Sequence, residues 1–101
     1  MTSQEIEQMK QVLEYLKGSP EERKTALDIV LPYSGTVETR KIFSGTEAVN
    51  YLVKLVHSEN PSLLVVLKCL INFAEDRLSV EKMCKNNVAQ RVYDVLKDNV
   101  K

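Results

Sequence analysis

The chain has few side chains of the types that perform chemistry, and their spacing does not assemble a site. Its 101 residues include one histidine, His57, and two cysteines, Cys69 and Cys84. A cysteine nucleophile needs a base beside it, and a structural zinc site needs four ligands. The sequence has no paired cysteine spacing, glycine-rich phosphate loop or carboxylate motif. We therefore expect no catalytic residue, metal or cofactor, and we expect both cysteines to be buried thiols on apolar helix faces.

Charge and composition exclude several further classes of function. Fourteen basic residues balance fourteen acidic ones, whereas a dedicated nucleic-acid binder or a basic membrane-binding patch has a clear basic excess. The longest apolar run, Leu63 to Leu67, is far too short to span a bilayer. The first residues are unlike a secretory signal, and two unpaired cysteines suit a reducing compartment. We predict a cytoplasmic protein, with the nucleus as a second compartment, that binds neither nucleic acid nor membrane.

One hydrophobic pattern occurs three times along the chain at intervals of forty residues. The three copies are Val12, Tyr15 and Leu16; Leu52, Leu55 and Val56; and Val92, Val95 and Leu96. A fixed period of roughly 20–50 residues is typical of stacked repeat proteins, in which each unit buries its apolar face against its neighbours. Such proteins usually act as binding surfaces. The pattern therefore predicts a kind of function, a binding surface, without naming the partner.

Apolar residues at helical spacing, separated by turn residues, predict about seven helices. Ser3 can cap the first of them. Gly18, Gly45 and Asn86 are expected to end helices, at positions that favour residues tolerant of positive φ. Pro32 is expected to kink or close the second helix, because it removes a backbone donor and crowds the preceding turn. The predicted order of helices is long, long, short, long, long, short, long.

This order makes a repeat of about forty residues that contains a short helix, a middle helix and a longer third helix. The chain then divides into a partial repeat over residues 1–35, a full repeat over 36–76 and a partial repeat over 77–101. The first and last helices are both middle helices of this repeat. The predicted fold is all-α and forms a single domain.

Residues 60–96 resemble an armadillo repeat. The segment 68–74, with the sequence KCLINFA, is similar to the third helix of that repeat, whose signature ends in Leu-x-Asn-Leu-Ala. Residues 80–87 resemble the short first helix with its glycine turn, and residues 88–96 resemble the middle helix. The resemblance implies an armadillo/HEAT-like right-handed helical superhelix of about seven helices.

Two segments are similar to one group within this superfamily, the armadillo-type chaperone adaptors that help eukaryotic elongation factor 2 to fold. These segments are 70–76 (LINFAED) and 26–36 (ALDIVLPYSGT). Members of that group are longer than this chain, so the resemblance implies an N-terminal fragment or a truncated form. It also implies protein partners, namely elongation factor 2 and chaperones.

The resemblance makes Asn72 a candidate binding residue. In peptide-binding armadillo proteins the equivalent asparagine lies on the concave surface and bonds to the main chain of an extended ligand. The chain departs from that pattern, because Lys68 stands where those proteins place a tryptophan. The equivalent positions of the preceding repeat are Asp28 and Pro32. The alternative is that Asn72 bonds locally to a neighbouring helix end.

The same face of the fifth helix offers charged and apolar side chains together. Val65, Lys68 and Asn72 share one stripe of that helix, and Asp28 lies on the corresponding stripe of the second helix. This surface could hold a mixed-charge segment, although a charged helical face is usually just solvated. The apolar run of the fifth helix places hydrophobic side chains on every side of it, so Leu64 or Val65 is a candidate contact point.

The last helix carries a further candidate surface, which consists of Val88, Val92, Val95 and Leu96. No third helix follows to cover this face, and the terminal unit of a repeat stack needs a polar cap. Either the chain is cut short or the face pairs with a partner, such as a second copy of the chain. Two functions remain: a non-enzymatic protein–protein interaction module, and a structural domain that forms a homodimer through the last helix.

Overall fold

A computed structural model describes residues 1–99, and these residues form seven α-helices and no strand. The helices are α1 (Ser3–Leu16), α2 (Pro20–Tyr33), α3 (Val37–Ser44), α4 (Ala48–Lys54), α5 (Leu63–Phe73), α6 (Arg77–Lys85) and α7 (Val88–Asn99). The all-α class and the number of helices are therefore confirmed. Residues 100 and 101, which belong to the predicted last partial repeat, lie outside the described residues.

Hydroxyl and carboxylate side chains begin most of the helices. The cap of α1 is Thr2, one residue before the predicted Ser3, and it forms a reciprocal capping box with Glu5. Ser19 and Glu22 make the same arrangement at the start of α2. Each box satisfies a backbone N–H group at the helix end and the backbone N–H of the cap itself. The chain entries into α1 and α2 are thus fixed by local sequence alone.

The predicted left-handed helix ends are wrong for both glycines. No glycine of residues 1–99 has positive φ, and Gly45 ends α3 at φ −82°. A Cβ atom at Gly45 would lie 3.0 Å from the backbone oxygen of Lys41. Glycine is therefore favoured here because it has no side chain to crowd this oxygen, and not because the backbone needs positive φ. Asn86 also has negative φ, and the left-handed residue is its neighbour Asn87 at φ 59°. Asparagine tolerates this conformation better than most residues do.

Pro32 lies inside α2, which continues through it to Tyr33. The chain leaves the helix at Ser34, whose buried hydroxyl donates a hydrogen bond of 2.7 Å to the backbone oxygen of Leu31. That bond satisfies one of the carbonyl groups that the helix end leaves free. Pro32 therefore shortens the helix by little, and Ser34 completes its end.

The core is a continuous cluster of apolar side chains contributed by α1 to α6. Within it, α1 packs on α2, α2 on α5, and α3 on α6. The rings of Phe43 from α3 and Phe73 from α5 have centroids 4.8 Å apart at an interplanar angle of 36°, a tilted contact of the kind that aromatic pairs prefer. The molecule extends over 47 × 30 × 19 Å, so it is longest in one direction.

Polar side chains join helices that are nearly one predicted repeat apart in the sequence. Arg40 of α3 bonds to Glu75 at 2.9 Å, and Asn86 donates to Asn50 at 3.0 Å. Ser58 donates to Asp98 at 2.9 Å. These three bonds span 35, 36 and 40 residues. Hydrogen bonds thus accompany the apolar packing between successive parts of the chain.

Candidate protein-binding surface

The predicted binding residues of α2 and α5 lie on two helices that pack against each other. Asp28 and Lys68 are exposed, whereas Val65 and Asn72 are half-buried. We call these four residues the α2–α5 surface. Since α2 contacts α5 directly, these four residues belong to two neighbouring helices.

Asn72 bonds to the end of the neighbouring helix. Its Nδ2 donates to the Oγ of Ser34 over 2.7 Å, and Ser34 in turn donates to the backbone of α2. Among residues 1–99 no further side-chain hydrogen bond of Asn72 is found, so its Oδ1 can still accept one. The local bond predicted as the alternative role of Asn72 is therefore present, and it orients the amide without using all of it.

The charges near this surface are paired to different degrees. Asp28 forms an ion pair with Lys24 one turn earlier, with 3.2 Å between the charged atoms. Both partners are largely exposed, and such pairs contribute little to stability. The ion pairs found among residues 1–99 do not include Lys68. Lys68 is thus the charge of the α2–α5 surface that is available to an acidic group of a partner.

A cleft of about 230 Å³ lies where the N-terminal ends of α2 and α5 meet. It is lined by Pro20, Glu21, Arg23, Lys24, Asn60, Pro61 and Ser62. The Nε atom of Arg23 is buried and has no hydrogen-bond partner among the described residues. The sequence analysis did not identify Arg23, because no pattern in the sequence indicates which atoms of an arginine become buried.

Asn60 shapes one wall of this cleft. It is buried, its Nδ2 donates to the backbone oxygen of Leu55 at 2.8 Å, and its Oδ1 accepts from the N–H of Ser62 at 2.9 Å. These bonds fold the segment between α4 and α5 back onto itself. The Asn-Pro dipeptide at 60–61 is the sequence signal for such a turn.

The predicted face of α7 is mostly covered. Val88, Val92 and Val95 are half-buried against the core, whereas Leu96 is 60% exposed. Tyr93, which was not among the predicted site residues, is also exposed. The apolar surface that α7 offers to a partner therefore centres on Leu96 and Tyr93 rather than on all four predicted residues.

A second cleft, of about 330 Å³, separates α7 from the segment that follows α4. His57, Arg91, Asp94 and Asp98 are among its lining residues. Arg91 donates to the backbone oxygen of Lys54 at 3.2 Å, so its guanidinium is anchored to the end of α4. Both signs of charge line this cleft, which therefore has no strong preference for an anion or a cation.

The two cysteines have different environments. Cys69 is fully buried in the core, and this burial raises the pKa of its thiol to about 12, so the thiol is protonated at neutral pH and is a poor nucleophile. Cys84 is exposed, and the prediction that it is buried is wrong. It falls on the outer side of α6 because Ser79 and Met83 supply the buried side of that short helix.

Neither a metal-binding cluster nor a membrane-spanning helix is found among residues 1–99. In that part of the chain, no group of three or more histidine, cysteine, aspartate or glutamate side chains could hold a metal ion. None of its helices is long and apolar enough to cross a membrane. Comparisons with protein-family models, with curated proteins and with solved structures find no match to the chain.

Proposed function

We propose that the seven helices form an armadillo-like right-handed stack with a repeat of about forty residues. Positions forty residues apart play matching roles in the first and second short helices. Thr36 caps α3 and Asp76 caps α6, and each accepts from the backbone three residues later. Those later residues, Thr39 and Ser79, are both fully buried. The packing of α2 on α5 and of α3 on α6 is the contact between equivalent helices that such a stack requires.

We infer that the chain is a non-enzymatic module that binds another protein through the α2–α5 surface. The observation that supports this most is the state of Asn72 and Lys68. Asn72 is oriented by Ser34 and keeps an acceptor for a main-chain N–H, and Lys68, one turn away, is exposed and outside the ion pairs of residues 1–99. An extended, acidic segment of a partner fits this combination. The cleft at Arg23 lies next to the start of α5.

The resemblance of segments 26–36 and 70–76 to the elongation-factor adaptors suggests the partner. We propose that the chain assists the folding of eukaryotic elongation factor 2 together with chaperones, in the cytoplasm. The two free cysteines and the lack of charge excess suit that location. The choice of partner rests on these two sequence segments, and the α2–α5 surface supports the role of protein binding.

Calorimetric titration with purified elongation factor 2, both folded and held unfolded by denaturant dilution, tests the proposal. We expect the chain to bind one of these forms, and we expect Lys68→Glu to weaken binding at least tenfold without changing stability. The matched control is Lys10→Glu, which reverses a comparably exposed charge on α1. Equal binding by the two variants would exclude the α2–α5 surface, and no binding by the unmodified chain would exclude this partner.

The alternative function is a structural domain that self-associates through α7. The exposure of Leu96 and Tyr93 favours it, because adjacent exposed apolar side chains often mark a contact with another protein. In this arrangement two copies would pair through the same face, and Leu96→Glu would return them to monomers. Sedimentation velocity over a wide range of concentrations tests this, and a monomer at every concentration would exclude it.

A further inference from the structure

Arg23 differs from the other arginines of the chain because its side chain has no partner. The side chains of Arg40, Arg77 and Arg91 each form a hydrogen bond or an ion pair. The side chain of Arg23 forms neither within residues 1–99, although it is half-buried and lines the cleft between α2 and α5. Removing a guanidinium partly from water without a partner costs free energy. An acceptor from another molecule would recover part of that cost.

Arg40 shows how this fold completes an arginine of the same kind. Both Arg23 and Arg40 have an Nε atom that is buried and has no acceptor among residues 1–99. Arg40 makes its bond at the end of the side chain, where Nη2 donates to a carboxylate oxygen of Glu75 over 2.9 Å. The Nε of Arg23 is likewise shielded, so an acceptor reaches this guanidinium through its two Nη atoms. Their spacing matches the two oxygens of a carboxylate.

Most other polar groups in the walls of the cleft are already in use. Both ends of the Asn60 amide are bonded, and the N–H of Ser62 is one of their partners. Pro20 and Pro61 line the cleft but have no N–H group to donate. The hydroxyl of Ser62 forms no hydrogen bond within residues 1–99, so it can donate to the same ligand as Arg23.

The acidic side chains nearest in sequence do not neutralise Arg23. The carboxylate of Glu22 is held in the capping box of α2, where it accepts from a backbone N–H at 3.2 Å. Glu21 lines the cleft and is exposed, but it forms no ion pair within residues 1–99. Lys24 already pairs with Asp28. Glu21 therefore weakens the attraction of the cleft for an anion without bonding to Arg23.

We propose that the cleft at Arg23 binds a carboxylate from the acidic segment of a protein partner. This carboxylate takes at Arg23 the place that Glu75 takes at Arg40. It accepts hydrogen bonds from both Nη atoms of Arg23 and from the hydroxyl of Ser62. The volume of about 230 Å³ is sufficient for one carboxylate side chain and not for a folded element.

This inference rests on the proposed function and adds a second attachment point to it. Ser62 caps α5 and precedes Lys68 by six residues, a separation of about 9 Å along a helix. An extended segment covers that distance with about three residues. A partner segment with acidic residues at this spacing is long enough to reach both Arg23 and Lys68.

Nuclear magnetic resonance of the unmodified, isotope-labelled chain tests both attachment points in one titration. The probe is a short polyglutamate peptide with blocked ends, and polyglutamine of the same length is the uncharged control. The Nε–H of Arg23 is shielded from water, so its signal should be observable and should shift when the guanidinium binds a carboxylate. The backbone amide of Lys68 reports on the α2–α5 surface. The Nε–H of Arg77, whose side chain is 94% exposed, is the internal reference.

Two substitutions in the cleft are expected to change peptide affinity in opposite directions. Arg23→Gln should weaken binding about tenfold, because it removes the charge and the paired donors. Glu21→Gln should strengthen binding about twofold, because it removes a competing negative charge. Arg77→Gln is the matched control, since it removes the same charge from α6. Circular dichroism and thermal unfolding show whether each variant is folded, and if Arg23→Gln is not, Glu21→Gln and the unmodified chain decide.

We expect polyglutamate to shift the signals of both Arg23 and Lys68, and polyglutamine to shift neither. A shift at Lys68 with none at Arg23 would overturn this inference and leave the proposed function standing. A shift at Arg23 alone would support the carboxylate site and count against the α2–α5 surface. The inference is also overturned if neither signal shifts, if Arg23→Gln binds the peptide as tightly as Arg77→Gln, or if Glu21→Gln weakens binding.

Discussion

At the scale of single residues, the two cysteines were expected to be alike, but only Cys69 is buried. Cys69 is enclosed by the core and its thiol has a pKa of about 12, whereas Cys84 is exposed on α6. Thiol modification requires both access and the thiolate form. We expect iodoacetamide to label Cys84 in the folded protein within minutes and Cys69 only after unfolding. Mass spectrometry of peptides from native and denatured samples measures this, and equal labelling rates would contradict it.

Asp76 connects a single side chain to the dependence of stability on pH. Hydrogen bonds from the Ser79 side chain, then its backbone, and from Ser44 lower the pKa of Asp76 below its ordinary value of 3.8. A carboxyl group with a lowered pKa stabilises the fold while it is ionised, and that contribution is lost as pH falls through the folded pKa. We therefore expect the free energy of unfolding to fall more steeply with decreasing pH below about pH 4. Asp76→Asn keeps a capping side chain and should flatten that slope, as urea unfolding at several pH values would reveal.

The role of a residue could be predicted where it follows from the residues next to it in the sequence. Asn72 follows from its place in the segment KCLINFA, and the structure adds that its bond partner is Ser34, 38 residues away. The exposure of Cys84 could not be predicted, because the side of α6 that is buried depends on where α3 and α4 lie. The unpartnered Nε of Arg23 has the same explanation. A role that depends on packing against residues far away in the sequence cannot be read from one sequence.

At the scale of helices and turns, Gly35 and Gly45 differ in the space that surrounds them. Gly45 approaches the backbone of α3 so closely that a Cβ would lie 3.0 Å from the Lys41 oxygen, whereas nothing lies within 4 Å of a Cβ at Gly35. Neither glycine has positive φ. We expect Gly35→Ala to stabilise the protein by about 0.5 kcal/mol, because alanine reduces the entropy of the unfolded chain. Gly45→Ala should destabilise it.

Urea unfolding of both alanine variants distinguishes the two roles of glycine. If the two substitutions changed the free energy of unfolding equally, close approach at Gly45 would not explain its presence. The same comparison shows why the helix ends were only partly predictable. A glycine after a helix suggests a left-handed residue, but Gly45 has negative φ and leaves room for the backbone oxygen of Lys41. The left-handed residue found among residues 1–99 is Asn87, which follows α6.

At the scale of the whole molecule, the contact of Phe43 with Phe73 joins α3 to α5 in the centre of the core. Both rings are fully buried. We expect Phe43→Ala to lower the free energy of unfolding by about 3–5 kcal/mol, because it removes a large side chain and leaves a cavity. Domains of this size have about 5–15 kcal/mol in total, so the variant should be close to unfolded. Phe43→Leu is the milder control, and chemical denaturation of both variants measures the loss.

The number and approximate positions of the seven helices were predictable because apolar spacing and turn residues repeat together along this chain. The prediction that α4 is long is wrong, because α4 has 7 residues and is shorter than the predicted short helices α3 and α6, which have 8 and 9. Much of the core was predictable for the same reason, since Val12, Leu16, Leu52 and Val56 are buried as their spacing indicates, whereas Tyr15 of the same pattern is half exposed. The exposed surface of α7 could not be predicted, because Val92 and Val95 pack against the core whereas Leu96 does not. A periodic pattern identifies the apolar side of a helix but not how much of that side a neighbour covers.

The hydrogen bonds between successive parts of the chain have a consequence for how it folds and opens. Among residues 1–99, no side-chain hydrogen bond joins positions more than 40 residues apart. Such bonds therefore tie each segment only to parts of the chain within 40 residues of it. This arrangement also allows one end of the chain to unfold locally while the other end stays folded. Amide hydrogen exchange should then be slowest around α4 and α5 and quicken in both directions away from them.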